Sequence, residues 1–168
     1  AARWAILGST LANILESSGY NVTREYYIND AGNQMELFYR SLLARYRQSF
    51  GLTEDLPSDG YQGDYVVKLA DSARSHWGDH FLNVSNTEAL AELGAWGLTY
   101  MLKSIAEDLK LIGVEFDSWF SEKSLFDDST YSTVMDVLAQ NGHLVNREGA
   151  TWFMSTDVGD DKESVLIR

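Results

Sequence analysis

Asn29, Asp30, Asn33 and Gln34 form the densest polar cluster in the chain. They follow a stretch that reads as a strand and open one that reads as a helix. In α/β sheets, ligands bind at the carboxyl ends of strands. Side-chain amides placed there offer both donors and acceptors, and Asp30 offers a charge for an ammonium or guanidinium group. The same residues also suit a plainer role. Asn29 or Asp30 can cap the following helix, with Asn33 and Gln34 facing water. Spacing alone does not choose between the two.

Other chemistry-bearing groups are sparse. His76 and His80 stand one helical turn apart with Asp79 between them and Asp71 upstream, a pair that could face a metal. Gly78 interrupts the pair and no third ligand is fixed, so surface histidines are expected. His143 follows a helix-stop signal, where an imidazolium meets the helix dipole favourably. Asp157, Gly159, Asp160, Asp161 and Glu163 make an acidic loop without the alternating register of a calcium loop. Asp127 and Asp128, like Asp160 and Asp161, are sequence neighbours, and adjacent carboxylates do not generally converge on one atom. There is no cysteine, no glycine-rich phosphate loop, no nucleophile elbow and no HExxH. No acid, base, nucleophile or metal ligand is therefore assigned.

The elements that must position the cluster are read from periodicity. Trp4, Leu7, Leu11, Ile14 and Leu15 recur at helical spacing over residues 3–18, and Gly19 suits a left-handed stop. Asn21 to Ile28 reads as a strand. A helix follows from about Asn33 to Phe50. Residues 52–63, with the single proline Pro57, read as an ordered surface loop. Helices are expected over Gly63–Trp77, with Tyr65, Leu69 and Ala73 inward, and over Thr87–Leu111. The latter carries one stripe through Leu98, Met101 and Ile105 and another through Ala89, Leu93, Trp96 and Tyr100. Val114 to Phe120 reads as extended, and Asp128 to Gln140 as a helix with Tyr131, Val134, Met135 and Leu138 inward. His143–Asn146 and Ala150–Met154 suggest a hairpin, and Val165–Ile167 a last strand. The strand at 21–28 should lie beside Val165–Ile167 or beside Phe116–Phe120. This order fits a piece of a doubly wound sheet with an inserted helical module. A free-standing, mostly helical domain is the rival.

Length and charge set the outer limits. The 168 residues carry a net charge of −12, of which −9 lies in residues 85–168. An isolated binder of phosphate backbones is disfavoured by that balance. A chain this long buries about 70% of its unfolded surface, so a core needs no staples. No apolar run reaches the ~20 residues of a membrane helix, and no basic-then-apolar leader opens the chain.

The run VTREYYINDAGNQ, Val22 to Gln34, resembles the signature after the first catalytic helix of bacterial arginyl-tRNA synthetases, which are class I aminoacyl-tRNA synthetases. RSLLARY at Arg40–Tyr46, DGYQGDYV at Asp59–Val66, LIGVEFDSWFSE at Leu111–Glu122 and GATWFMSTDVGDDKESVLIR at Gly149–Arg168 keep the family's order. The likeness covers the chain and weakens only around residues 76–90. It implies an α/β, partial nucleotide-binding (Rossmann-like) fold, predominantly helical, with a small antiparallel β unit. Residues 1–34 would be the first-half helix and strand, and 35–168 mainly the connective insertion. It also implies a cytoplasmic arginine–tRNA ligase that uses ATP and Mg2+ with L-arginine and tRNA as partners, and no membrane. Asn29, Asp30, Asn33 and Gln34 would then line the aminoacylation pocket. The second histidine of the family's HIGH-type motif would fall at about Ala1, and the KMSK-type motif beyond Arg168. The chain alone is therefore expected to be inactive, with no tightly bound cofactor, and prone to a non-physiological dimer. The alternative is a non-enzymatic helical interaction module built on the Thr87–Leu111 helix.

Overall fold

Apolar residues three and four apart bring three helices onto one core in this computed structural model, which describes residues 2–127 and 129–167. The chain forms two compact units, the first through Phe120 and the second from Ser121. In chain order the first holds α1 (Ala2–Ser17), β1 (Glu25–Ile28), α2 (Asn33–Ser49), α3 (Asp64–Trp77), a 3-10 turn at His80–Leu82 and α4 (Asn86–Leu111). Strand β2 (Ser118–Ser121) crosses the boundary. The second holds α5 (Ser124–Asp127), α6 (Thr130–Gln140), β3 (Leu144–Arg147), β4 (Ala150–Phe153), a 3-10 turn at Ser155–Val158 and β5 (Ser164–Ile167). The expected architecture is present: predominantly helical, with a small antiparallel β unit.

The core of the first unit is the meeting of α2, α3 and α4. Leu42 and Tyr46 of α2, Val66, Ala70 and Ala73 of α3, Ala89 and Leu93 of α4, and Phe81 of the 3-10 turn are fully buried. Each large apolar side chain buried this way contributes about 1.5–3 kcal/mol. Tyr46 also satisfies its polar end, since its hydroxyl donates to the Gly78 carbonyl at 2.6 Å. Two glycines let α4 approach closely. A Cβ on Gly97 would lie 2.4 Å from Leu42 Cδ2, and one on Gly94 within 2.4–2.8 Å of the Tyr39 ring. Ser85 starts α4, its hydroxyl accepting from the Glu88 amide at 3.2 Å, as the Ser-x-x-Glu order favours.

The sequence placed most elements, with informative differences. On α3 the inward residue is Val66, while Tyr65 is 43% exposed. On α4 the buried stripe is Ala89, Leu93, Gly94 and Gly97, and the Leu98–Met101–Ile105 stripe is only half-buried. On α1 the apolar stripe is exposed, with Trp4, Leu7, Leu11 and Ile14 open to solvent, and Ala12 is the buried residue. The first unit covers α1 with its small residues and leaves the large ones free. Gly19 ends α1 as expected, at φ 89°, with Tyr20 N–H donating to the Leu15 carbonyl at 3.1 Å and Gly19 N–H to that of Glu16 at 2.9 Å. That is the Schellman pattern.

Strand β1 pairs with β2, which is the second of the two neighbours expected for it. It is shorter than expected, because a strand with one short partner persists only as far as that partner does. Tyr26 and Tyr27 alternate across it. Tyr26 stacks on Trp119 at 4.5 Å and meets Phe116 edge-on at 5.3 Å, while Tyr27 meets Phe120 at 5.9 Å.

The second unit is built on a three-stranded sheet in the order β3-β4-β5, antiparallel throughout. Val165–Ile167 thus pairs with β4, not with residues 21–28. The β3–β4 hairpin turns on Glu148 and Gly149, at φ 54° and 71°, the left-handed pair that two-residue hairpins use. Buried Ser155 donates to the Lys162 carbonyl at 2.6 Å, fastening the turn that precedes β5. Helix α6 has no fully buried residue, and Val134, expected inward, is 51% exposed. Its expected start, Asp128, lies outside the described residues.

Phe81 touches the rings of Tyr46, Trp77 and His80 at 4.9–5.6 Å. Removing it opens a cavity that three helix ends cannot fill. Phe81→Ala is expected to lower unfolding stability by about 3–5 kcal/mol, read from the urea midpoint at unchanged slope.

Candidate functional site

Strand β1 delivers Asn29 and Asp30 to the turn before α2, and the first turn of α2 carries Asn33 and Gln34. The structure therefore gathers the four at one strand-to-helix junction. Asn29, Asn33 and Gln34 are exposed and Asp30 is half-buried. The cap position of α2 is Gly32, at φ 80°. The capping role open to Asn29 or Asp30 is thus taken by a glycine, whose backbone can turn where a side chain would be strained.

Two tyrosines meet this cluster, and neither was singled out from the sequence. Burial is the main cause that raises the Tyr39 hydroxyl above its ordinary value, and the negative charge of Asp30 adds to it. The Tyr39 ring packs close to Gly94 of α4. Tyr61 donates its hydroxyl to Gln34 Oε1 at 3.2 Å. It comes from the loop between α2 and α3, which is fastened at both ends. Near the start, Arg47 pairs with Glu54 at 3.1 Å and Gln48 Nε2 donates to the Glu54 carbonyl at 2.6 Å. Near the end, the Tyr61 amide donates to Ser41 Oγ at 2.9 Å, and that buried hydroxyl donates onward to the Leu37 carbonyl at 2.6 Å. A Cβ on Gly60 would lie 2.6 Å from Ser41 Oγ, so the loop can sit this low only with glycine there. The Tyr61 ring meets Phe38 edge-on at 5.6 Å. The sequence signal for Tyr61 was its place in DGYQGDYV, but its partners lie 20 and 27 residues away.

A pocket of about 400 Å³ lies between α1 and the chain on either side of the β1–β2 pair, lined by Trp4, Gly8, Leu11, Val22, Arg24 and Phe116 among others. Its one strongly held group is Arg24. Both terminal guanidinium nitrogens donate to Glu16 at 2.8 Å, one of them also donates to Asn13 Oδ1 at 2.8 Å, and the Arg24 amide donates to Asp117 Oδ2 at 2.8 Å. The guanidinium is thereby held protonated, chiefly by its bond to Glu16. A cation so engaged orders the walls of the pocket.

Three other sequence candidates have structural partners. His76 lies parallel to Trp96 at 6.4 Å, and His80 stands 3.8 Å from Glu92. Glu163 pairs with Arg147. Among the described residues, no group of three or more His, Asp or Glu could hold a metal ion. None of the described helices is long and apolar enough to cross a membrane.

No family model matches the chain. It is 47% identical over 166 residues to the arginine–tRNA ligase of Dehalococcoides mccartyi and 41% identical over 167 residues to that of Bacillus subtilis. Each alignment takes in 99% of this chain and 30% of the relative. A crystal structure from Campylobacter jejuni, assigned as an arginyl-tRNA synthetase, superposes with a TM-score of 0.83 at 33% identity, over 99% of this chain and 36% of that one. The chain thus spans about 30% of the length of the curated relatives it matches.

The Arg24 clamp makes a pH-dependent prediction. The Glu16 carboxyl is held below its ordinary 4.5, chiefly by the hydrogen bond from Arg24; desolvation opposes this and Coulomb attraction to Arg24 adds to it. A carboxyl lowered on folding stabilises the folded state above its ordinary value, and that stability is lost as pH falls through the lowered one. Glu16→Gln should therefore melt below the wild type at pH 7. The gap should shrink as pH drops under 4.5, as followed by circular dichroism.

Proposed function

We propose, for a chain that belongs to the arginine–tRNA ligase family, that the whole protein joins L-arginine to its tRNA through an arginyl-adenylate made with ATP. The observation that carries this reading is the 47% identity across 99% of the chain. In that chemistry an arginine carboxylate oxygen bonds the α-phosphorus and pyrophosphate leaves. A ribose hydroxyl of the tRNA's terminal adenosine then takes the arginyl group, and AMP leaves. Such a reaction asks the protein mainly to position reactants and to stabilise charge. ATP, Mg2+, arginine and tRNA are the whole protein's cofactor and partners, and the cytoplasm is its place of work.

Within this reading, residues 1–34 are the first helix and strand of the nucleotide-binding half, and 35–168 are mainly the connective insertion. Asn29, Asp30, Asn33 and Gln34 support the pocket wall. The exposed stripe of α1, Trp4, Leu7, Leu11 and Ile14, is covered by other parts of the whole protein. In the isolated chain the same stripe favours a dimer without physiological meaning.

The test is arginine-dependent pyrophosphate exchange with tRNA present. The full-length protein should exchange, and the 168-residue chain alone should not. Absence of exchange by a folded full-length protein would overturn the reading. Exchange by the pure chain alone would overturn its assignment as an incomplete site.

Asp30 supplies a sharper check. Asparagine has the shape of aspartate and caps a helix as well, so Asp30→Asn should leave the melting temperature of the full-length enzyme nearly unchanged. Loss of a charge-assisted contact should lower kcat/KM for arginine about ten- to a hundredfold. An unchanged kcat/KM would remove Asp30 from the site.

A further inference from the structure

An open pocket of about 610 Å³ lies between α3 and α4, lined by Asp71, Ser72, Ser75 and His76 of α3 and by Trp96 and Tyr100 of α4. The hydroxyls of Ser72 and Ser75 donate to the Lys68 and Asp71 carbonyls, both at 2.9 Å. A carbonyl has no proton to return, so each serine oxygen is left with lone pairs only. Among the described lining residues Asp71 is the one carboxylate, and there is no lysine or arginine. Among the described residues none forms an ion pair with Asp71. The aromatic wall runs on from there: His76 lies parallel to Trp96 at 6.4 Å, and the Trp96 and Tyr100 rings meet at 5.4 Å. Aromatic faces carry the negative part of the ring quadrupole. A carboxylate, two acceptor oxygens and π surface together suit a planar cation rich in N–H donors. An anion would meet Asp71 and two oxygens with no proton to give.

We propose that this pocket binds the guanidinium group of a free, arginine-sized compound. A guanidinium is planar, always charged, presents five N–H donors and stacks on aromatic rings. An ammonium is a compact, strongly hydrated point charge and matches the flat wall less well. The volume falls within the range of small-molecule sites, and six residues from two helices enclose room for one molecule. Asp71 and His76, whose place on α3 the sequence offered to a metal, thereby take a different cation. The assignment holds whether or not the whole protein arginylates tRNA.

The test uses the full-length protein labelled with 5-fluorotryptophan, the fluorine resonance of Trp96 being assigned by its loss in Trp96→Phe. Agmatine, which has a guanidinium and no carboxylate, and L-arginine should each shift that resonance saturably, with midpoints in the millimolar range. Urea, planar but neutral, and n-butylamine, charged but not planar, should leave it in place at the same concentrations. Asp71 is exposed, so Asp71→Asn should keep the melting temperature. It should raise the agmatine midpoint about two- to fivefold, the worth of one exposed charge contact. An unmoved resonance, or a shift that urea or n-butylamine reproduces, would overturn the proposal. A midpoint indifferent to Asp71→Asn would overturn it too, because the shift would then report binding elsewhere in the protein. So would an arginine-containing peptide that binds about tenfold more tightly than free arginine, since the occupant would then be a polypeptide.

Discussion

Everything at the amino-terminal end of the first unit hangs on one guanidinium. Arg24 reaches back to Glu16 and Asn13 on α1, and its own backbone is gripped by Asp117 ahead of β2. Its carbonyl takes the amides of Asp117 and Ser118 at 2.8 and 3.1 Å. One residue therefore joins a helix, the start of one strand and the start of its partner. A two-stranded pair has little stability of its own. The bidentate ion pair, with a side chain only 18% exposed, gives that pair a fixed anchor point. Four residues beyond it along β1 is Ile28, and then come Asn29 and Asp30. The junction that carries the polar cluster is thus set by a contact several residues upstream.

The three-helix core supplies the other fixed reference. Gly94 and Gly97 bring α4 against Tyr39 and Leu42 of α2, and the negative charge of Asp30 adds to burial in raising the Tyr39 hydroxyl. The close helix crossing thus buries Tyr39, and that burial is the main cause of its raised hydroxyl. A well-packed interior transmits a change of one methyl group, so a position on α4 with no polar atom still bears on the cluster.

Local signals were legible in the sequence. The stop at Gly19, the start of α4 near Thr87 and the β3–β4 hairpin each depend on a few adjacent residues, and each appears within a residue or two of its expected place. What was not legible depends on partners. The extent of β1 is limited by β2, some 90 residues on. On α3 the expected stripe holds at Leu69 and Ala73 and fails only at its first position, where Val66 is buried and Tyr65 is exposed, because both fit the period and only the neighbours on α2 select between them. The cap of α2 was sought among Asn29 and Asp30, the residue types that favour it, whereas the backbone reversal before the helix required the glycine. For the candidate site the four polar residues were visible as a cluster, since they are contiguous. Tyr39 and Tyr61 were not, because one acts through burial against α4 and the other through a loop whose anchors lie far off in sequence.

Ser41 gives the loop between α2 and α3 an uneven tolerance for change in length. Its hydroxyl accepts from the Tyr61 amide, and the Gly60 amide donates to the Pro57 carbonyl at 2.9 Å, so the count of residues from Pro57 to Tyr61 is fixed by a contact on each side of Gly60. Upstream, Glu54 is tied back to α2 by Arg47 and Gln48. Between those two fastenings only Asp55 and Leu56 remain. Added residues would be tolerated best there, since lengthening a surface loop costs little entropy. A single residue gained or lost after Pro57 would unseat the tyrosine.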